Sequence, residues 1–254
     1  RSAARAAEFI GGGRAATALE NMRPADLWIL TVPDAAICAT AEQLSKSMSI
    51  VSAQENAPIA FHCSGFFPAS IMAPLRDKGF SLGSAHPCLN FASAETGVSQ
   101  FENTPCGVEG DVQAVALLQD FFTLLGGRCF TIDSQSKALY HTAAVFCSNF
   151  TVVLQAIAQD TWREAVIPDS VINDVLPSLL NGTVANVIAL GPRAAITGPA
   201  ARGDKRIVEK EKQALAQWHL EAADVYEKLS RMASKLARSG TVFMSDGIDN
   251  KRDA

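Results

Sequence analysis

The most informative absence in this sequence is a glycine-rich G-x-G-x-x-G loop, so no single motif identifies a dinucleotide as the ligand. Also missing is any C-x-x-C pair; the six cysteines, at 38, 63, 88, 106, 129 and 147, are scattered through mostly apolar segments. That pattern suits reduced, buried thiols in a cytoplasmic protein. A zinc site from His62, Cys63, His86 and Cys88 would need two strand ends to be neighbours, and without zinc-motif spacing no metal is expected. Neither sign of charge dominates. Lys and Arg number 22 against 26 Asp and Glu, a formal net charge of −4, which gives no electrostatic reason to bind nucleic acid or an anionic membrane. No apolar run reads as long and clean enough to cross a bilayer, since even residues 139–158 include His141, Asn149 and Gln155. The first residues, Arg-Ser-Ala-Ala-Arg-Ala-Ala-Glu, lack the apolar segment of a secretory signal.

What is present is an alternation of short apolar runs with helix-like segments. With 254 residues, 48% of them hydrophobic, the chain can fill two modest cores. Residues 3–10 read as a helix stopped by Gly11-Gly12-Gly13, which follows a helix rather than a strand and so reads as helix-stop chemistry. Strands are expected at 26–31, 58–63, 81–85, 105–109 and 128–132. Helices are expected at 34–51 with Asp34 as N-cap, at 68–78 with Pro68 in the first turn, and at 111–125 with Asp111 as cap. Residues 88–104 read as irregular. Such alternation predicts a parallel sheet covered on both faces, with ligands bound beyond the carboxyl ends of its strands. Three strand ends carry small or polar clusters: Thr31-Val32-Pro33-Asp34, His62-Cys63-Ser64-Gly65 and His86-Pro87. After Asp133 the pattern turns helical, which places a domain boundary near 133, a helical domain over 134–239 and a flexible tail over 240–254.

Residues 134–159 read as one helix, apolar almost all round and therefore buried. At roughly 100° per residue, Lys137, His141, Ser148 and Gln155 fall in one narrow sector, with Thr142 and Asn149 adjacent. A buried polar stripe of this kind has to meet water, ligand or partner groups. Either it lines a cleft between the two halves, or Lys137 is exposed near the helix start and His141 is a satisfied core histidine. Gly191 to Asp204 reads as a compact loop in which Asp204 caps the next helix, or as an active-site loop presenting Arg202 and Thr197. The charged run 205–212 reads as a solvated helix face.

The ordered set of Thr-Val-Pro-Asp at 31–34, His-Cys-Ser-Gly at 62–65 and Ser-Ala-His-Pro at 84–87 resembles a family of NAD(P)-dependent oxidoreductases. So do the segments at 137–150, Lys-Ala-Leu-Tyr-His-Thr-Ala-Ala-Val-Phe-Cys-Ser-Asn-Phe, and at 196–204, Ile-Thr-Gly-Pro-Ala-Ala-Arg-Gly-Asp. The resemblance covers about residues 1–237. It implies a Rossmann-like domain followed by an all-α domain like the C-terminal domain of 6-phosphogluconate dehydrogenase, as in the pyrroline-5-carboxylate reductase group. It further implies that the first βαβ element is missing, and that Arg1 and Ser2 sit where such folds contact the adenosine ribose, an arginine there favouring NADP over NAD. Thr31, Val32, Pro33, Ser64 and Gly65 would then line the nicotinamide end. His86, Pro87 and Arg202 would belong to the substrate pocket, and Lys137, His141, Ser148 and Asn149 to the catalytic helix. A homodimer through the helical domain is implied as well.

The expected activity is hydride transfer between NADP(H) and a small polar carbonyl, imine or hydroxyacid. Two alternatives stand beside it. One is a non-catalytic dinucleotide or metabolite sensor on the same fold. The other is a hydrolase using Ser64 with His86, although Phe61-His62-Cys63-Ser64-Gly65 is not the G-x-S-x-G elbow.

Overall fold

The computed structural model describes residues 2–47 and 57–243. Arg1, residues 48–51 of the second expected helix and residues 244–254 of the expected tail lie outside them. The chain divides into two compact units, Arg1–Asn149 and Phe150–Ala254.

In the first unit, helix α1 (Ser2–Ile10) ends at Gly11, whose φ of 75° and amide bond to the Glu8 carbonyl close the helix as expected. Strand β1 (Leu27–Leu30) leads through a 3-10 turn at Asp34–Ala36 into α2 (Ile37–Ser47). Asp34 does not cap this helix; its carboxylate instead accepts a hydrogen bond from Ser64 Oγ at 2.8 Å. Strand β2 (Ile59–His62) is followed by a ten-residue 3-10 segment, Ala69–Lys78, rather than the α-helix that was expected. Pro74 inside it has no amide hydrogen to give, and Met72 leaves helical geometry. Next come β3 (Ser81–Pro87), α3 (Ala94–Ser99), β4 (Pro105–Gly110), α4 (Val112–Leu124) and β5 (Arg128–Thr131). The segment expected to be irregular thus contains α3, which is opened by a reciprocal cap between Ser93 and Thr96. Asp111 does occupy the N-cap of α4, but its carboxylate is taken by Arg76, at 2.7 and 2.8 Å, and by the Leu82 amide.

The five strands form one sheet in sequence order. Strands β1, β2 and β3 run parallel, as do β4 and β5, but β4 is antiparallel to β3. The sheet is thus mostly parallel, as expected, with one antiparallel join that the alternation of elements did not foretell. The chain re-enters beside the point where it left, with Cys88 N–H bonded to the Pro105 carbonyl, so the connection never crosses back over the sheet. One face packs Trp28, Leu30 and Leu82 against Ile37, Ala41 and Leu75; the other packs Phe61, Ala85 and Val108 against Leu118 and Phe122.

A 3-10 turn at Ser134–Ser136 leads into α5 (Lys137–Cys147), which belongs to the first unit. The single helix expected over 134–159 is broken at Ser148, where ψ is −72°, and α6 (Asn149–Glu164) follows. In the second unit α7 (Asp169–Ala195) departs from helical geometry at Gly191, with φ 73°, so the expected loop is partly helical. Then come α8 (Pro199–Arg202), α9 (Lys205–Trp218), whose first turn Asp204 caps through Ile207 N–H as expected, and α10 (Leu220–Ser239). Two helical runs, Ser134–Glu164 and Asp169–Arg202, are long and apolar enough to cross a membrane, each with mean hydropathy 1.3. This corrects the expectation that no run qualifies. Isolated polar residues such as His141 and Asn149 are outweighed when hydropathy is averaged over an 18-residue window.

Candidate active site

Sheet register builds the site. His62 pairs with Ser84, and Ser84 pairs with Glu109, so three polar side chains stand in a row on one face of three adjacent strands. His86, two residues beyond Ser84, extends the row on the same face. All but His86 are buried.

Lys137, the first residue of α5, drives its ammonium into this row. It donates to the Ser64 carbonyl at 2.8 Å and to Ser84 Oγ at 2.5 Å, and lies 3.6 Å from Glu109 Oε1. Glu109 is itself saturated. Its Oε1 accepts from Ala69 N–H and Ser84 Oγ, and its Oε2 from Ser134 Oγ. Burial pulls the Lys137 pKa below its ordinary value, against the opposing charge of Glu109. The Lys137 side chain is 1% exposed. It ties the ends of β2 and β3 to α5.

His62 is neutral for two reasons: burial first, and then the Lys137 charge, hold its pKa at about 4. Its Nδ1 accepts from Ser64 N–H while Nε2 faces the Pro68 carbonyl, which places the ring hydrogen on Nε2. Because the folded pKa is lowered from 6.5, the unfolded chain binds the extra proton first. Stability is therefore full above pH 6.5 and falls as pH drops toward 4, by at most about 3 kcal/mol from this one group. Urea midpoints measured from pH 7 to pH 4 should show that loss, and it should shrink in His62→Gln.

A second cluster is half-buried. His86 Nδ1 faces the Tyr140 hydroxyl at 2.9 Å, and Tyr140 also contacts Cys88 Sγ at 2.6 Å. Gly107 leaves room for that hydroxyl, since a Cβ there would come within 3.0 Å of it. Burial, then the neighbouring His141, hold the His86 pKa at about 4, and burial pushes the Tyr140 phenol above its ordinary value. Gly65 closes the group from the end of β2. A Cβ on Gly65 would lie 2.6 Å from His141 Cδ2 and 2.8 Å from His86 Nε2, so only the absence of a side chain lets the two imidazoles meet there. Their centroids are 5.9 Å apart.

Of the residues singled out in the sequence, Ser64, Gly65, His86, Lys137 and His141 come together. Pro87 is buried as the last residue of β3. Thr31 and Pro33 are exposed beyond β1, while Val32 packs into the core. Ser148 bonds to Asn90 and Asn149 is exposed; among the described residues neither hydrogen-bonds to the Lys137 cluster. Ser2 starts α1, and Arg202 ends α8 in the second unit. Ser64 Oγ donates to Asp34 and accepts from the Phe66 and Phe67 amides, which leaves it no histidine base and removes the hydrolase reading. Among the described residues no group of three or more His, Cys, Asp or Glu is placed to hold a metal.

Glu109, Ser84 and Tyr140 were missed. Glu109 sits in Pro-Cys-Gly-Val-Glu-Gly, and a charged residue in a short central strand was the available signal.

Residues 104–233 match a family described as a domain of unknown function (DUF2520). No curated protein matches the sequence. Among solved structures, the Thermotoga maritima protein TM1727 is 24% identical, with 93% of this chain and 87% of that chain covered and a TM-score of 0.72. A Bacteroides fragilis protein described as an NADP oxidoreductase is 25% identical over 92% and 85% of the two chains, with a TM-score of 0.73. A reductive aminase of Aspergillus terreus, in complex with NADPH and ethyl levulinate, is 15% identical over 95% and 84%, with a TM-score of 0.60, and speaks to the fold alone. These likenesses establish a Rossmann-like α/β unit followed by a helical unit.

Proposed function

This chain belongs to the DUF2520 family, and from that premise we propose that it is an NADP-dependent oxidoreductase acting on a small polar carbonyl, imine or hydroxyacid. The observation that carries the reading is the meeting of His86 and His141 over the bare backbone of Gly65, at the carboxyl end of β2. The residues fit the nicotinamide end of the cofactor. Gly65 presents bare backbone beside the His86 and His141 rings, and Thr31 and Pro33 are exposed at the end of the adjoining strand. Arg1 and Ser2 are assigned to the adenosine side, where an arginine suits a 2′-phosphate. When bound, the cofactor supplies or accepts the hydride.

The protein's own groups orient the substrate and handle the proton. In this reading Tyr140, kept protonated, donates to Nδ1 of a neutral His86, which puts the His86 hydrogen on Nε2, beside Gly65. From there it donates to the carbonyl oxygen or imine nitrogen on which charge develops. His141, half-buried beside it, carries the proton between that atom and solvent. Lys137 is a positioning residue in this reading, because two hydrogen bonds and the Glu109 charge hold it inside the sheet. Pro87, buried as the last residue of β3, borders the pocket beside His86.

His141→Ala should lower turnover about 100-fold or more while changing NADPH affinity less than about threefold, as loss of a proton carrier does. Equal losses in both would assign His141 to binding instead. NADPH binding with no turnover by the unmodified protein across a carbonyl and imine panel would favour a sensor.

The helical unit forms the interface of a homodimer working in the cytoplasm. Supporting this are the apolar side chains that α7 leaves in solvent, including Leu179, Ile188 and Leu190, exposed by 58%, 80% and 60%. The absence of any disulfide among the described residues suits a reducing compartment.

A further inference from the structure

A second site, apart from the strand ends, lies wholly inside the helical unit. A recess of about 550 Å³ is walled by α8, the first turns of α9 and the last half of α10. That volume falls within the range of small-molecule sites. Six cationic side chains line it: Arg202 from α8, Lys205 and Lys212 from α9, and Arg231, Lys235 and Arg238 from α10. Three carboxylates share the recess, a surplus of three positive charges in a chain whose formal net charge is −4.

Each of those carboxylates is already engaged. Asp204 accepts from Ile207 N–H as the cap of α9, Glu209 accepts from Gln213 at 2.9 Å, and Glu227 pairs with Lys212 at 2.7 Å. Among the described residues, none of Arg202, Lys205, Arg231, Lys235 and Arg238 has a carboxylate within 4.0 Å. Arg231 and Lys235 stand four residues apart on one helix face, a like-charge spacing that costs an isolated helix a few tenths of a kcal/mol. Gly198 and Gly203, with φ values of 98° and 79°, stand at the N-cap and C-cap of α8, and Ala200 and Ala201 add no bulk to the wall. A solvated basic face needs no wall of small residues opposite it.

We propose that this recess is a binding site for a compact anion carrying two or three negative charges, either a phosphoester or a paired carboxylate. The arginine forks of Arg202, from α8, and Arg231, from α10, suit both groups. The inference goes beyond the oxidoreductase reading and does not depend on it.

The test is calorimetric titration of the full-length protein with pyrophosphate and, separately, with citrate, both at constant ionic strength so that general screening is held fixed. Saturable binding of at least one is expected. A preference for pyrophosphate assigns phosphoester chemistry, and a preference for citrate assigns carboxylate chemistry. Arg231→Gln with Lys235→Gln should weaken binding at least tenfold, whereas Lys210→Gln, outside the recess, should not. Circular dichroism of each variant separates lost binding from lost folding. If the double variant misfolds, Arg202→Gln alone must weaken binding at least threefold. No saturable binding of either anion, or unchanged affinity in the folded variants, overturns the site. NADPH affinity is measured on the same samples, so failure here is distinguishable from failure of the cofactor reading.

Discussion

Lys137→Met should destabilise the first unit by about 3 kcal/mol, the lower end of the range for breaking a buried ion pair. The low end applies because Glu109 keeps three donors, from Ala69, Ser84 and Ser134, when the ammonium is gone. What is lost is the charge balance, together with the side chain that ties the Ser64 carbonyl to Ser84. Methionine fills most of the volume, so a cavity contributes little. Removing the charge from both partners, in Lys137→Met with Glu109→Gln, should cost less than the sum of the single changes, since no lone buried charge then remains. Urea denaturation of the four proteins gives the coupling directly. If Lys137→Met costs under about 1 kcal/mol, the ammonium is not structural, and the lysine returns as a candidate proton donor.

Gly65→Val should abolish most activity while leaving the protein folded. Gly65 does not have a positive φ among the described glycines, so a side chain brings no backbone strain. The cost comes from space. A Cβ meets His141 at 2.6 Å and His86 at 2.8 Å, and His86 is held from behind by Tyr140. Overpacking of this kind costs about 1–3 kcal/mol of stability. Displacing His86 and His141 should cost turnover about 100-fold, the usual consequence of a misplacement near 1 Å. Gly65→Ala should fall between, since the half-buried His141 can swing aside. Thermal melts beside NADPH-dependent turnover check both parts, and a large stability loss with unchanged turnover in the folded fraction would relocate the site.

The strand-end clusters, the glycine stop after α1 and the cap at Asp204 were legible because each depends on neighbours a few residues away. The Lys137–Glu109 pair was not. Glu109 lies 28 positions before Lys137, in a strand whose direction could not be read from local pattern, and only the register His62–Ser84–Glu109 brings it under α5. The 3-10 form of Ala69–Lys78 had a visible cause in Pro74 that the apolar spacing concealed. The break at Ser148 had no such marker, because Cys147, Ser148 and Asn149 are all tolerated inside helices. Lys137 and His141 were rightly placed on one helical face, but that face could not say which of them is sealed in the sheet.

The binding of NADP(H) at the strand ends is tested most directly by titrating the full-length protein with NADPH and with NADH while following nicotinamide fluorescence. A saturable change with NADPH, weaker with NADH and lost in folded Gly65→Val, is the predicted result. The absence of a saturable change with either nucleotide, or an NADPH response that Gly65→Val leaves intact, contradicts it.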